Sequence, residues 1–294
     1  MSKEIKLSVC VVCYNQEEYI AKCLQSLVDQ ETDFDFEIIV SDDCSTDNTR
    51  EIIKEFVKAY PKIIRVILHK NNMGPYQNYL FAHKEAIGRY IAHMDGDDYS
   101  LPGKLQNQVS FLDDNPDCNI VWHPMIKLSE NGDIKSPPLS SMKTILGEKF
   151  FRKDILELMA IGIHSSKMYR KTCREFIVPN NEFIDYYINV EQVGSGYAAY
   201  SSINPLGVYR TGIGIASSGN RTKRILCESF IVFSKKYPQY RMNINTAALS
   251  CLLVDMKNLR PSSFIYLKAF IKTYHFSSAF NLLKVYKYIK ILNY

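Results

Sequence analysis

The first 125 residues alternate short apolar strands with amphipathic helices, and this alternation restricts the fold more than any other feature of the sequence. Strand-like runs occupy residues 7–12, 36–40, 63–68 and 89–94, and segments with apolar residues at helical spacing lie between them. Parallel strands require long crossover connections, which helices usually supply. The sequence therefore predicts an α/β fold with a mainly parallel sheet flanked by helices.

The second part of the chain is less regular. The pattern predicts a strand at 119–128, a hairpin turn at 130–133, a helix at 148–160, and strands within 161–169, 196–202 and 206–210. Beyond Gly219 the apolar spacing is helical to the end. We therefore expect one main domain over residues 1–218, with halves at 1–125 and 126–218, and a helical extension at 219–294.

Composition excludes several protein classes. A hydrophobic fraction of 46% with 23% charged residues is ordinary for a globular protein and argues against disorder. No apolar run approaches the roughly 18 to 20 residues that cross a bilayer, and the N-terminus lacks the pattern of a signal peptide, so we expect a cytoplasmic protein. Cys10 and Cys13 form a CxxC pair without a second pair to complete a zinc site, so we expect reduced, buried thiols.

Polar residues follow each of the four predicted N-terminal strands. The strand-end motifs are Tyr14-Asn15, Asp42-Asp43, Asn71-Asn72 and the run from Asp95 to Asp98. In open α/β sheets, ligands bind beyond the carboxyl ends of the strands, where such loops converge. The four motifs therefore predict one shared site.

The acidic run Asp95-Gly96-Asp97-Asp98 places three carboxylates within four residues, directly after an apolar strand. Carboxylates so close together repel one another and lose hydration, so a cation among them is expected. The cation that fits is a divalent metal holding a phosphate. The alternative is a solvated turn that caps the next helix.

Together, these motifs resemble the inverting family 2 glycosyltransferases, which have the GT-A, Rossmann-like nucleotide-sugar fold. The resemblance rests on four runs and covers about residues 5 to 215: Ser8 to Asn15, Ile39 to Asp47, Asn72 to Gly74, and Met94 to Asp98. It extends more weakly to Asp185 and to Tyr209-Arg210. It implies transfer of a sugar from a nucleoside-diphosphate sugar to an acceptor hydroxyl, as in the synthesis of bacterial surface polysaccharide or glycolipid.

The resemblance also implies roles for the strand-end residues, with 1–125 as the nucleotide-binding half and 126–218 as the acceptor half. Asp97, with Asp95 beside it, matches the metal-contacting position, and Mn²⁺ or Mg²⁺ suits carboxylate and phosphate oxygens. Asp43 matches a base-contacting residue and Tyr14 an aromatic that stacks on the base; a helix cap and a core residue are their alternatives. The remaining expected nucleotide-sugar contacts are Asn15, Asp42, Asn72, Gly74, Asp95, Gly96, Asp98 and Arg210. For Asn72 and Gly74, plain turn chemistry is an equal alternative.

An inverting transfer needs a general base that takes the proton from the acceptor hydroxyl. Asp185 lies where the family carries a catalytic acid residue at a helix start, although the usual adjacent acid is missing. Glu182 is the second candidate, and a structural cap or ion pair is the third interpretation.

Arg210 precedes a Gly- and Ser-rich loop at 211–219, which we expect to close over the diphosphate and exclude water. Gly212 stands where many relatives carry a histidine. Arg221, Lys223 and Arg224 are candidate replacements for that phosphate contact. For His164, a core histidine and an acceptor contact are both open.

Residues 261–294 carry five lysines, four phenylalanines and five tyrosines, and no Asp or Glu. This composition fits a helix resting on an anionic leaflet, which would bring the enzyme to a lipid-linked acceptor at the inner face of the plasma membrane. Packing on the main domain, or on a second subunit in a homodimer, is an equal alternative. Nucleic acid is not expected as a partner, because no recognition motif accompanies the basic residues.

Two other functions remain open at this point. A nucleotidyltransferase would share the sheet but usually shows a Gly-rich, basic loop after the first strand, where this chain has Cys13-Tyr-Asn-Gln-Glu. A non-catalytic sugar-nucleotide-binding protein would keep the fold and lack the base. A dinucleotide-dependent dehydrogenase is disfavoured, because no GxGxxG follows the first strand.

Overall fold

The computed structural model describes residues 4–179, 182–212 and 219–292. These residues form two compact units, and each contains more than one stretch of the chain. The α/β unit comprises residues 1–149, 162–176 and 196–212, and the helical unit comprises 150–161, 177–195 and 213–294. The domain boundary that we placed after residue 218 stays a prediction.

The α/β unit is built on a seven-stranded sheet in the order β10-β6-β9-β4-β1-β2-β3. Its strands are β1 Leu7–Cys13, β2 Phe36–Asp42, β3 Ile64–Leu68, β4 Tyr90–Asp95, β6 Cys118–Trp122, β9 Met168–Arg170 and β10 Tyr197–Tyr200. The pairs β1–β2, β1–β4, β2–β3 and β6–β10 are parallel, and β9 runs antiparallel to both of its neighbours. This architecture confirms the predicted mainly parallel α/β fold.

Five helices of the α/β unit follow its strands: α1 Ile20–Val28, α2 Thr49–Ala59, α3 Pro75–Lys84, α4 Lys104–Asp114 and α5 Leu139–Ile145. The helix α1 shows why they form here, because its residues Ile20, Cys23, Leu24 and Leu27 are all buried at helical spacing. They join strand residues such as Val9, Val11 and Ile38 in one core. Burial of this apolar area stabilises the sheet that carries the strand-end loops.

A second, four-stranded sheet in the α/β unit has the order β5-β11-β7-β8. Its strands are β5 Tyr99–Ser100, β7 Ile126–Ser129, β8 Ile134–Lys135 and β11 Gly207–Thr211. The predicted turn at 130–133 does connect the antiparallel strands β7 and β8, with Gly132 at φ +83. This sheet brings Arg210 next to β5, immediately after the acidic run.

The helical unit contains α6 Arg152–Leu158, α7 Asp185–Gln192, α8 Asn220–Lys236, α9 Arg241–Lys257, α10 Ser263–Thr273 and α11 Ser278–Leu292. Within it, α9 packs against α6, α8, α10 and α11. The helical pattern predicted after Gly219 is confirmed for the described residues. Among them, no helix has both the length and the apolar character needed to span a bilayer.

Two local predictions were wrong. The predicted strand at 119–128 is two strands, β6 and β7, which belong to different sheets. Pro124 lies at the break, where it lacks an N–H group for the ladder and restricts the residue before it. The predicted helix at 148–160 begins only at Arg152, and the preceding helix α5 was not predicted.

Candidate active site

The carboxyl ends of β4, β1 and β2 lie side by side and bring three of the predicted motifs to one edge of the sheet. Val12 pairs with Asp95, and Cys13 pairs with Asp42. Backbone hydrogen bonds continue past the strands, because Gly96 N donates to Val12 O at 3.0 Å and Asp43 N donates to Cys13 O at 3.0 Å. The first residue after β3, His69, continues the same pattern toward Asp42. All four predicted motifs therefore follow adjacent strands.

Hydrogen bonds between the first two loops fix Asn15. Its N–H donates to Ser45 Oγ at 2.9 Å, and its Oδ1 accepts from Thr46 N at 2.8 Å. Asn15 itself has φ +51, a left-handed conformation that asparagine tolerates better than most residues. Next to it, Tyr14 is 47% exposed, so about half of this residue is accessible to solvent. This pair can support stacking on a planar base.

Asp42 is fully buried and is occupied by protein contacts. Its carboxylate accepts from Ser45 N and Ser45 Oγ, and Arg50 Nε donates to it as an ion pair. These contacts shape the loop that carries Asp43. Asp42 is therefore buried and paired within the protein.

Asp43 organises the loop after β3. Its two carboxylate oxygens accept from Met73 N at 2.7 Å and Gly74 N at 2.9 Å, and Asn72 Nδ2 donates to its carbonyl at 3.1 Å. Gly74 adopts φ +85, where a side chain would be strained although the space beside it is open. Each carboxylate oxygen has a second lone pair, so Asp43 can still accept from a ligand.

The acidic run contains two carboxylates with raised pKa values. Burial, followed by the nearby charge of Asp95, raises the pKa of Asp97 to about 6. Burial and the charges of Asp95 and Asp97 also raise the pKa of Asp98. Asp98 Oδ1 accepts from Arg210 N at 2.9 Å, and its buried Oδ2 has no hydrogen-bond partner among the described residues. A bound cation would stabilise the ionised form of both carboxylates.

Asp95 is held by a chain of buried side chains that the sequence reasoning missed. His93 Nε2 lies 3.1 Å from Asp95 Oδ1, His83 Nε2 lies 3.0 Å from His93 Nδ1, and Tyr169 OH lies 2.8 Å from His83 Nδ1. Burial lowers the pKa of both histidines and so favours their neutral forms. An ionised carboxylate only accepts hydrogen bonds, so His93 donates to Asp95 and in turn accepts from His83. His83 then accepts from the hydroxyl group of Tyr169.

Ser165 completes the support of Asp95. Its Oγ lies 3.1 Å from Asp95 Oδ2 and accepts from the Asp95 N–H at 3.0 Å. Although burial acts in the opposite direction, His93 and Ser165 hold the pKa of Asp95 below its usual value. A signal for His93 existed in the sequence, because residues two apart on a strand point to the same face. The sequence pointed to the segment from His164 to Ser166 through the acceptor side of the resembling family, but not to a contact between Ser165 and Asp95.

His164 lies beside this chain in the core. Its ring contacts the His93 ring edge-to-face at 3.9 Å between centroids, and burial lowers its pKa. This placement supports the core interpretation of His164.

Position 96 needs a glycine because the acidic run passes too close to β1 and α1 to leave room for a side chain. A Cβ at this position would lie 2.9 Å from Cys13 Cβ and 3.0 Å from Ile20 Cδ1, and would also contact Gln16 Oε1. The sequence reasoning expected Gly96 to serve the ligand. The structure gives it a packing reason as well.

Arg210 on β11 lies near two aromatic rings. Its guanidinium lies 4.9 Å from the Tyr19 ring and 5.7 Å from the Tyr99 ring. Its positive charge partly offsets the rise that burial and Asp95 cause in the pKa of Asp97. Arg210 Nε is buried and has no hydrogen-bond partner among the described residues. A planar cation held in this way is suited to an anionic ligand.

The carboxylate oxygens of the acidic run suit a divalent cation such as Mg²⁺. Oxygen atoms of a bound phosphate ligand would have to complete the coordination of that cation. Among the described residues, no group of three or more His, Cys, Asp or Glu side chains is arranged to hold a metal. Mg²⁺ commonly binds through one or two carboxylates plus substrate phosphates and water. Asp97 and Asp95 could provide that pair.

The base candidates belong to the helical unit. Asp185 is the first residue of α7, and its Oδ1 accepts from Tyr186 N at 2.8 Å. Glu182 forms an ion pair with Arg221, whose Nε donates at 2.9 Å, and this contact lowers the pKa of Glu182. Lys223 is likewise paired, with Asp255 at 2.7 Å. Most of the predicted loop at 211–219 lies outside the described residues.

Comparisons with known proteins identify the family. A model of glycosyl transferase family 2 matches residues 8–175. An uncharacterized protein of Mycobacterium tuberculosis is 34% identical over 197 residues, which are 66% of this chain and 55% of that protein. The chain therefore spans about half the length of the curated relative it matches.

Two solved structures share the fold. The crystal structure of Staphylococcus aureus TarS 1–349 in complex with UDP-GlcNAc has a TM-score of 0.67 at 19% identity, covering 97% of this chain and 90% of that one. The mannosyltransferase PcManGT from Pyrobaculum calidifontis, in complex with GDP-Man and Mn²⁺, has a TM-score of 0.57 at 14% identity, covering 99% and 87%.

Proposed function

The chain belongs to glycosyl transferase family 2, and on this premise we propose that it moves a sugar from a nucleoside-diphosphate sugar to an acceptor hydroxyl with inversion. The observation that carries the proposal is the meeting of Tyr14, Asp43 and the acidic run at the carboxyl ends of adjacent strands. This edge supplies a ring for a base and a cluster of carboxylates for a cation, among which Asp97 has a raised pKa. A nucleoside diphosphate with a divalent metal satisfies both requirements.

We propose that Asp97, supported by Asp95, holds Mn²⁺ or Mg²⁺ against the donor diphosphate. The bound metal would neutralise the charge that develops on the leaving nucleoside diphosphate. Arg210 is placed to add a second positive charge, because its guanidinium already acts on Asp97. PcManGT contains Mn²⁺ with GDP-Man, which is consistent with this assignment.

The nucleoside end of the donor is assigned to the first two loops. Tyr14 stacks on the base, Asn15 keeps the loop in its left-handed turn, and Asp43 contacts the base edge while it orders Asn72 and Gly74. Asp42 acts indirectly by holding the Asp43 loop. Asp98 likewise acts by fixing the backbone of Arg210.

We assign the general base to Asp185. Glu182 is the weaker candidate, because its ion pair with Arg221 lowers its pKa and so its affinity for a proton. The transferred sugar is proposed to be a hexose or an N-acetylhexosamine, in the synthesis of a cell-surface polysaccharide or glycolipid in the cytoplasm. TarS, which shares the fold, was crystallised with UDP-GlcNAc.

Donor binding is tested by thermal shift with UDP, GDP and other nucleoside diphosphates, each with and without Mn²⁺. A ligand that binds only the folded state raises its melting temperature, and we expect a rise of about 5 °C for the correct base with metal. The Asp97→Asn variant is the matched control and should lose the metal-dependent part of the rise. If no nucleoside diphosphate changes the melting temperature, the proposal is wrong.

The base assignment is tested with Asp185→Asn and Glu182→Gln. We expect Asp185→Asn to lower the transfer rate about a hundredfold or more while donor binding is retained. Glu182→Gln should keep most of the rate. Unchanged transfer in Asp185→Asn would contradict the assignment.

The same assays separate the alternatives. A non-catalytic binding protein would show the thermal shift but no transfer in the parent chain with any donor. A nucleotidyltransferase would produce a sugar nucleotide and pyrophosphate from a nucleoside triphosphate and a sugar phosphate. Family membership favours the glycosyltransferase.

A further inference from the structure

The helices α10 and α11 expose large apolar side chains together with lysines. The most exposed are Phe264 at 76%, Phe276 at 82%, Phe280 at 69% and Leu283 at 76%. The same segment carries exposed lysines at positions 268, 272, 284, 287 and 290. We call these nine residues the basic aromatic face. Large apolar side chains exposed in such a group mark an interaction surface.

The way α11 is attached makes this exposure unusual. Among its residues, Ser278 is fully buried, and the neighbouring Asn281 donates hydrogen bonds to Glu157 and to Thr246 Oγ1. Together with half-buried apolar residues such as Leu282 and Val285, these polar groups lie on the inner side of the helix, while Phe280 and Leu283 are exposed. The exposed side of a helix in a globular protein normally carries polar residues instead of large apolar ones. The outward side therefore requires a second apolar environment.

The charge of the chain is divided in the same way. Asp255 is the last acidic residue, and it is followed by seven lysines and arginines. The net charge of the whole chain is +5, so residues 1–255 carry −2 and residues 256–294 carry +7. The entire positive balance thus lies in the segment that contains the basic aromatic face.

We propose that the basic aromatic face rests on an anionic phospholipid bilayer, with its apolar side chains at the boundary of headgroups and acyl chains. Lysines next to buried apolar residues can reach the phosphate groups through their long stems. No described helix can span a bilayer, so the contact is interfacial. The proposal does not depend on the transferase activity.

Other occupants fit the surface less well. A symmetric contact with a second copy would place the same +7 segment against itself, and like charges at an interface are unfavourable. Nucleic acid would satisfy the lysines but offers no apolar phase to Phe264, Phe280 and Leu283. A bilayer with anionic lipid satisfies both the charge and the apolar side chains.

The test is flotation of the full chain with vesicles. We expect binding to vesicles of phosphatidylcholine and phosphatidylglycerol in equal parts, and little binding to phosphatidylcholine alone. The double substitution Phe280→Ser with Leu283→Ser, and separately Lys284→Ala with Lys287→Ala, should each lower the partition coefficient about tenfold or more.

Matched controls remove the same groups elsewhere. Ile134 and Ile177 are 71% and 76% exposed, and changing both to serine should leave binding unchanged. Changing the exposed Lys58 and Lys62 to alanine controls for the loss of charge. A Phe280→Trp variant gives a direct signal, because the natural Trp122 is buried and a tryptophan at 280 should shift its emission to the blue on anionic vesicles.

Three outcomes would overturn the proposal. The first is equal or absent binding to both vesicle types. The second is an equal loss of binding in the control variants. The third is a dimer in sedimentation analysis that Phe280→Ser with Leu283→Ser dissociates, because it would assign the face to a second copy of the chain.

Discussion

The orientation of a single carboxylate, that of Asp95, depends on a row of neutral side chains behind it. His93 presents a proton to Asp95 because its other nitrogen accepts from His83, which in turn accepts from Tyr169. Each partner fixes the tautomer of the next. Hydrogen bonds to a metal-binding carboxylate commonly affect how tightly the metal is bound.

We therefore expect His93→Leu to weaken Mn²⁺-dependent binding of the nucleoside diphosphate about tenfold or more. His93→Gln should retain most of the affinity, because its amide can still donate to Asp95. Calorimetric titration with and without Mn²⁺ measures the effect, and a melting curve reports whether each variant is folded. Equal metal-dependent affinity in His93→Leu and the parent would show that His93 does not position Asp95.

Gly96 lets the acidic run pass close to β1. In Gly96→Ala the new methyl group would press against Cys13 and Ile20, which are both buried in the core. We expect a loss of about 1 to 3 kcal/mol in the free energy of unfolding, measured by chemical denaturation. Gly103→Ala is a contrasting case, since Gly103 has open space but φ +81, so its cost reports backbone strain and not close packing. A Gly96→Ala variant as stable as the parent would contradict this close packing.

Among the elements, three helices, α6, α9 and α11, are joined by hydrogen bonds to one buried carboxylate. Glu157 on α6 accepts from Asn243 at 3.3 Å and from Asn281 on α11. Burial raises the pKa of Glu157 to about 7, although both hydrogen bonds act in the opposite direction. The folded state therefore binds this proton more tightly than the unfolded state does. Its contribution is present at low pH and is lost as the pH rises through about 7.

Glu157→Gln removes this titration while it keeps an acceptor for Asn281. We expect the variant to gain up to about 3 kcal/mol over the parent as the pH rises from about 5 to about 8. Denaturation followed at both pH values measures the difference. A difference between variant and parent that is the same at both pH values would show that Glu157 does not titrate in this range.

Over the whole molecule, the separation of charge predicts a salt effect. Residues 256–294 carry all of the positive balance, and surface charge is screened over about 10 Å at 0.1 M salt but only about 3 Å at 1 M. We expect binding to anionic vesicles to fall at least about tenfold over this range. A small residual affinity should remain from the apolar side chains and should disappear in Phe280→Ser with Leu283→Ser. Salt-independent binding would contradict the electrostatic part of the proposal.

Local sequence was sufficient for much of the fold. The strands β1 to β4 and the helices between them follow from apolar periodicity and from Pro61 and Pro75 at helix boundaries, because these signals act over a few residues. The break at Pro124 was not anticipated, since two sheets rather than one local pattern determine where β6 and β7 pair.

The sequence by itself determined the α/β class, the order of the strand-end motifs and the family. It did so because the periods of strands and helices, and the short motifs after strands, depend on residues that are close together in the sequence. Only the tertiary structure decided which carboxylates are occupied by protein contacts, such as Asp42, and which have raised pKa values, such as Asp97. Burial and long-range partners set those properties. The row from Tyr169 to Asp95 likewise joins residues up to 86 positions apart, which no local pattern records.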